Sequence, residues 1–226
     1  MKIQCLTETL NETNGYILID ENSKHCIIVD PCNAKLIDEY IKENDLSIDF
    51  CLLTHEHFDH IFGLNQLREK YHFELICNAS CSIGIQSAVK NMVRCYEIVL
   101  GFRKEKYHLE DLTIPDIDRN YVSGKAEIEF DAGYGFEWYG HRIELRHTPG
   151  HSKGSACITV DDNMMFSGDS LLFDYDVILR FPGGSKKEYQ QITLPFFNRL
   201  DRNIFVYPGH GRAFRLGDKM EQKGDT

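Results

Sequence analysis

The 226-residue sequence is short of several features that would place it in well-marked classes. It has no C-x-x-C pair, although it carries Cys5, Cys26, Cys32, Cys51, Cys77, Cys81, Cys95 and Cys157. These are scattered, and several sit inside apolar runs such as Phe50-Cys51-Leu52-Leu53 and Ala156-Cys157-Ile158. A free thiol there behaves as a small buried hydrophobe. A secreted disulfide scaffold is shorter and denser in cysteine, so reduced thiols and a cytoplasmic location are expected. No apolar run approaches the ~20 residues of a transmembrane helix, and Met1-Lys2-Ile3-Gln4-Cys5 lacks the apolar stretch of a secretion signal. Positive charge is also scarce, with 25 Lys and Arg against 35 Asp and Glu and a net charge of −10. That balance argues against nucleic acid, whose phosphates need a positive stripe, and against an anionic membrane.

There are no repeats and no Pro/Gly/Ser linker. The length fits one substantial core, because domains run roughly 100–200 residues and some reach about 250. A single domain over 1–216 with a polar, frayed tail over 217–226 is the expected division. Strands are predicted at Tyr16–Ile19, Cys26–Val29, Phe50–Leu53 and Glu74–Cys77, and helices at Ala34–Glu43 and Ile61–Lys70. Residues 80–125 differ. Ile83, Ile85, Val89, Met92, Val93, Tyr96 and Val99 space as one helix face, and a charged stretch follows, then Leu112-Thr113-Ile114-Pro115. Strands resume at Ile128–Phe130, Phe136–Tyr139, Ile143–Arg146, Ala156–Val160, Met164–Ser167 and Ile204–Tyr207. A helix over Lys187–Arg199 is shortened or kinked by Pro195. Strands grouped with interspersed helices indicate a layered α/β architecture.

The chemistry concentrates in Thr54-His55-Glu56-His57-Phe58-Asp59-His60. On an extended segment residues i and i+2 point the same way, so His55 and His57 can grip one ion together. Asp59 and His60 come from the turn into the next helix and can face a second. Imidazole and carboxylate suit zinc and similar metals, and charged groups directly after a core strand are costly unless partnered. Three further candidates each follow a strand and a glycine: His151 in Thr148-Pro149-Gly150-His151, Asp169 in Ser167-Gly168-Asp169, and His210 in Tyr207-Pro208-Gly209-His210. If these strand ends share one edge, five His and two Asp converge. His147 is read as a support for the site or for the strand that runs through it.

These stretches resemble the metallo-β-lactamase-fold hydrolases, and among them the short single-domain relatives of glyoxalase II. The matching segments are THEHFDHIFG (54–63), HTPGHSKGS (147–155), SGDSLL (167–172) and VYPGHG (206–211). The resemblance implies a four-layer αββα sandwich with metals at one edge and a helical insertion at about 80–125. It implies that His55, His57 and His151 hold one divalent ion, that Asp59, His60 and His210 hold a second, and that Asp169 bridges both. Zinc is the first expectation, with iron or manganese as alternatives. His60 stands where class B1 β-lactamases generally carry another residue, so antibiotic hydrolysis is not expected. Asp30-Pro31-Cys32 replaces the usual D-P-G, and Leu179-Arg180-Phe181-Pro182-Gly183-Gly184 keeps part of another family stretch. The chain ends 16 residues after His210, which leaves no room for the helical domain that helps glyoxalase II bind glutathione.

Two metals about 3.5–4 Å apart lower the pKa of a shared water toward 7. The hydroxide attacks a carbonyl carbon, with Asp59 and Asp169 holding the nucleophile. A thiolate leaving group needs no strong general acid, which favours a thioester of a small, anionic substrate; a lactone or a phosphodiester is an alternative. Arg180 and Tyr175 are candidate substrate contacts. The insertion is open to three roles: a lid, a substrate wall or a homodimer contact. Its Arg94, Arg103, Lys104 and Lys106 can attract an anion or simply face water. Competing readings are a mononuclear-iron sulfur dioxygenase, a nuclease of the same superfamily, and a non-catalytic binding module.

Overall fold

The computed structural model describes residues 1–114 and 116–224. Pro115 and positions 225 and 226 of the expected tail lie outside the described residues. Two six-stranded sheets dominate. The first runs β1 (Lys2–Thr7), β2 (Asn14–Ile19), β3 (His25–Val29), β4 (Ser47–Leu52), β5 (Glu74–Asn78) and β6 (Ile128–Phe130), in that spatial order. β1 to β3 are antiparallel and β3 to β6 parallel. Parallel neighbours need crossovers, which here are α1 (Ala34–Asn44), then α2 (Phe58–Ile61) with α3 (Leu64–Lys70), then α4 (Ala79–Ile85) with α5 (Val93–Lys106). The second sheet holds β7 (Gly133–Trp138), β8 (His141–His147), β9 (Ala156–Val160), β10 (Met164–Gly168), β11 (Phe205–Pro208) and β12 (Phe214–Arg215). Only its β10–β11 pair is parallel. The crossover there contains α6 (Lys186–Glu188), a π-turn at Tyr189–Thr193 and α7 (Leu194–Phe197).

Strand alternation sorts side chains between layers. In β2, Tyr16 and Leu18 face the second sheet while Ile17 and Ile19 face helices. β3 repeats this, with Ile27 and Val29 between the sheets and Cys26 and Ile28 under the helices. Both faces are therefore covered, which explains the continuous apolar runs. The outer layer on the first sheet is Ala34, Ile37 and Ile41 of α1, Leu64 and Leu67 of α3, and Cys81 and Ile85 of α4. On the second sheet, Phe197 of α7 and Leu216 of the last helix, α8 (Leu216–Gly224), pack beside Met165 and Val206. The expected αββα layering is what the chain adopts. All eight cysteines are free, and six of them are buried. Among the described residues no helix is long and apolar enough to cross a membrane.

Several expectations are corrected. The helix read over 61–70 is two, α2 and α3, because the Gly63 N–H bonds to Pro31 O at 2.8 Å and a Cβ there would meet Ala34 N at 2.5 Å. The single face read over 83–99 is split between α4 and α5. Asn91 interrupts it by accepting from Val93 N and donating to Tyr121 O, Met92 takes φ 64°, and Ile83 and Val89 are exposed. The helix read over Lys187–Arg199 is the α6–π–α7 succession, with Pro195 in the first turn of α7. The residues from Gly217 to Gly224 are helical in α8, and Met220 packs on the neighbouring core. β1 escaped sequence reading, being a half-exposed edge strand with little contrast between its faces.

Phe166 ties the two sheets. It is fully buried, edge-on to Tyr16 at 5.1 Å and stacked on Tyr207 at 5.0 Å. Phe166→Ala is expected to cost about 3–5 kcal/mol in urea unfolding. Ile98→Ala, at a site 59% exposed, should stay within about 0.5 kcal/mol of the parent.

Candidate metal centre

Four strand ends deliver the predicted side chains to one edge. β4 runs out into Thr54–His60, β8 into Thr148–His151, β10 into Gly168–Asp169 and β11 into Pro208–His210. Asp169 and His210 are neighbours because β10 and β11 are parallel, with Gly168 opposite Pro208. The sheets also join here. Ala156 N donates to Thr54 O at 2.7 Å, and Asn14 N donates to Gly209 O at 2.7 Å. Gly209 has to be small, since a Cβ would come within 2.3 Å of Asp169 Oδ1 and 2.7 Å of His60 Cε1.

All seven predicted residues come together. His55, His57 and His151 form one set whose ligand atoms lie within 4.8 Å of one another, and Asp59, His60 and His210 form another. Asp169 touches both sets. Its Oδ2 is 3.5 Å from His151 Nε2 and 3.5 Å from His210 Nε2, and its Oδ1 is 3.6 Å from His60 Nε2.

Hydrogen bonds behind the rings decide which nitrogen faces inward. Thr54 Oγ1 donates its only proton to Asp30 at 2.6 Å, so at 3.0 Å it accepts from His55 Nδ1. His60 Nδ1 donates to Asp30 Oδ2 at 2.9 Å, His151 Nδ1 to Ile178 O at 2.9 Å, and His210 Nδ1 to Asn11 O at 3.1 Å. With each Nδ1 holding the proton, four Nε2 lone pairs point at the cluster. His57 is turned the other way, its Nδ1 being 2.9 Å from His151 Nε2. Outward hydrogen bonds of this kind fix tautomer and orientation in metal-binding histidines.

Several atoms here are short of partners. His55 Nε2, His60 Nε2 and Asp169 Oδ1 face inward and are buried without hydrogen-bond partners, and so is His57 Nε2 on the ring that is turned the other way. Burial, with His60 next in weight, holds His55 well below its ordinary range, and burial pushes His57 down to about 3. Burial also disfavours a charged His60, yet Asp59 and Asp30 push it up to about 10. Two buried carboxylates thus draw a positive charge into the cluster. Unpaired buried acceptors are costly, and a divalent cation answers both deficits at once. The residues present fit such ions. Asp30, His55 and His60 also lie close enough to hold an ion, but the Asp30 oxygens are taken by Thr54 and by His60 Nδ1. We read that trio as a hydrogen-bonded support.

Sequence reasoning named Asp30 only within Asp30-Pro31-Cys32, yet it anchors two of the histidines. Its signal was available: a carboxylate directly after a buried strand needs partners just as His55 does. The β1–β2 loop was also missed. Asn11 Nδ2 donates to Asp59 Oδ2 at 2.7 Å and Thr13 Oγ1 does so at 3.1 Å. That loop is pinned from α5, where Arg103 pairs with Glu12 at 2.7 Å and donates to Leu10 O at 3.1 Å. Glu56 points away from the cluster and accepts from Ser152 Oγ at 2.8 Å. His147 Nε2 lies 2.9 Å from Lys153 O and steadies the turn that carries His151. Cys32 is buried, with its Sγ 3.6 Å from Leu6 O.

The cluster floors a cavity of about 600 Å³. His57, Asp59, His151, Asp169 and His210 reach it, as do Tyr175 and Arg180. Of the four insertion cations, Arg103 and Lys106 line it, whereas Arg94 and Lys104 do not, and Lys104 instead donates to Leu112 O.

Comparison with known proteins gives the family and the fold. The family model described as the metallo-beta-lactamase superfamily matches residues 11–210. The chain belongs to the metallo-β-lactamase superfamily. It is 31% identical over 205 residues to the probable metallo-hydrolase YqgX of Bacillus subtilis, covering 88% of this chain and 85% of that protein. It is 25% identical over 211 residues to a hydroxyacylglutathione hydrolase of Pelagibacter ubique, covering 93% of this chain and 71% of the relative. Among solved structures, the B3 metallo-beta-lactamase BLEG-1 superposes with a TM-score of 0.77 over 97% of both chains at 22% identity, a likeness of fold.

Asp30→Asn removes the carboxylate charge behind His60 and is expected to weaken metal affinity about 10–100-fold, read by chelator competition. Gly209→Ala should lower metal content further, because its methyl group displaces Asp169 or His60. Parent-like metal affinity in both variants would show that these supports are dispensable.

Proposed function

We propose that the chain is a metal-dependent hydrolase of a small-molecule carbonyl substrate, a thioester before a lactone, with attack at the phosphorus of a phosphodiester as the further alternative. His55, His57 and His151 hold one divalent ion, Asp59, His60 and His210 hold a second, and Asp169 serves both. Zinc is the first assignment, ahead of iron or manganese, since His and Asp donors accept all three. The observation that carries this reading is the convergence of five imidazoles and two carboxylates in one cluster, from which His57, Asp59, His151, Asp169 and His210 reach the cavity. Two of its curated relatives carry hydrolase names, which supports the reaction class.

Bound ions supply Lewis acidity and bring the ionisation of water into the neutral range. The chain's own groups do the rest. Asp59 and Asp169 accept hydrogen bonds from a water on the cavity floor and orient its lone pair toward the carbonyl carbon. The water oxygen bonds to that carbon as one of its protons passes to Asp169, the carbon–sulfur bond breaks, the thiolate leaves with the electron pair, and the new carboxylic acid gives up its proton to solvent. A thiol pKa near 8.5 lets it depart without a strong acid. No serine, threonine or cysteine lines the cavity among the described residues, so a Ser-His or Cys-His type of nucleophile is not part of it. Arg180 and Tyr175 stand on the wall to orient the substrate.

Protein purified without added metal should carry zinc by elemental analysis, and a panel of thioesters, lactones and phosphodiesters should show thioester cleavage first. His57→Ala is expected to lower that activity by more than about 100-fold. One iron per chain with oxygen uptake on a persulfide would replace hydrolysis by sulfur oxidation. Absence of any bound metal would end the metallo-hydrolase reading.

A further inference from the structure

The insertion places two faces of α5 against different surroundings. Val93, Tyr96 and Leu100 pack on Phe58, the residue between His57 and Asp59. The adjoining face, Met92, Val99 and Phe102, lines the cavity. Phe102 is 69% exposed, a large ring left open at the mouth. Phe181 also lines the cavity, its ring centroid 5.9 Å from that of His57 and 6.0 Å from that of His151. Apolar surface therefore flanks the place where a scissile carbonyl would sit.

The charges around the same cavity are largely committed. Arg103 is held by Glu12 and Leu10 O, and Lys106 lies over the Tyr107 ring at 5.0 Å. Arg180 is the lining cation without a hydrogen bond, ion pair or ring partner among the described residues. Glu12, Asp174 and Asp176 share the lining. Glu12 is paired with Arg103 and Asp174 with Arg212, so a carrier with several phosphates would find one unengaged cation, Arg180, set against the carboxylate of Asp176.

Building on the thioesterase reading, we propose that the substrate's acyl group is apolar and several carbons long, and that it lies between α5 and Phe181. Met92, Val99 and Phe102 are the specificity-determining residues. The thiol portion extends toward Arg180 and carries little negative charge. A short hydroxyacyl group would leave the apolar walls against water and gain nothing from them.

The test uses the zinc-replete full chain and N-acetylcysteamine thioesters of acetate, butanoate, hexanoate and octanoate, with the lactate thioester as the polar arm. Each buried methylene is expected to raise kcat/KM about fourfold until the cavity is filled, so hexanoyl should exceed acetyl by at least about tenfold. Val99→Asp should flatten that series while zinc per chain stays at the parent value, and Phe102→Ser should flatten it in part. Calorimetry supplies a readout without turnover: octanoate should bind at least about tenfold more tightly than acetate, and Val99→Asp should abolish the difference. A flat series, a preference for the lactoyl arm, or equal binding of octanoate and acetate would overturn the proposal. If no thioester is cleaved while octanoate keeps its advantage, the thioesterase reading falls and the apolar site stands.

Discussion

Burying two carboxylates and five imidazoles at one sheet edge is the constraint on which the rest depends. Asp59 and Asp169 sit among rings turned edge-on to them, and several of the inward atoms have no partner. An arrangement of this kind is unfavourable unless a positive charge enters it. The pull on His60, whose pKa burial alone would lower, shows how strongly the carboxylates demand one. The structure meets the cost by making everything behind the cluster rigid. Asp30 fixes Thr54 and His60, Ile178 O fixes His151, and Asn11 fixes both His210 and Asp59.

That rigidity is available because the cluster lies where the two sheets meet. The central strands β2 and β3 are apolar on both faces, while the outer strands β7 and β8 turn Glu137, Arg142, Glu144 and Arg146 to the surface, so the buried polar groups of this region stand at strand ends. β4 and β10–β11 end together because Ala156 N and Asn14 N cross from one sheet to the other. The inter-sheet core of Tyr16, Leu18, Ile27, Phe166 and their neighbours sets the distance between those ends. Packing thus decides whether a histidine from residue 55 and one from residue 210 can serve one site.

The insertion adds to this frame. α5 presses on Phe58 from outside, reaches the β1–β2 loop through Arg103, and forms one wall of the cavity. Its position beside the ligands links the part of the chain that shapes a substrate space to the part that holds Asp59 and His210.

The strand runs were enough to read a layered α/β architecture, and the resemblance of the four motif stretches to a known family is what implied its αββα form. The seven cluster residues were legible for a local reason: they stand directly after strands, in places where a buried polar group needs a partner. Asp30 met the same criterion and was passed over because it has no imidazole neighbour in sequence. Asn11, Thr13 and Arg103 gave no sign, for their roles depend on residues 46 to 93 positions away. The break at Gly63 depended on an encounter with Pro31 and Ala34, and the break at Asn91 on one with Tyr121. What the sequence by itself determined was which groups could bind metal and at which strand ends they stand. Tertiary structure alone decided which nitrogen each ring turns inward, which side chains stand behind it and what wall α5 presents, because these follow from contacts between segments that periodicity along one chain does not record.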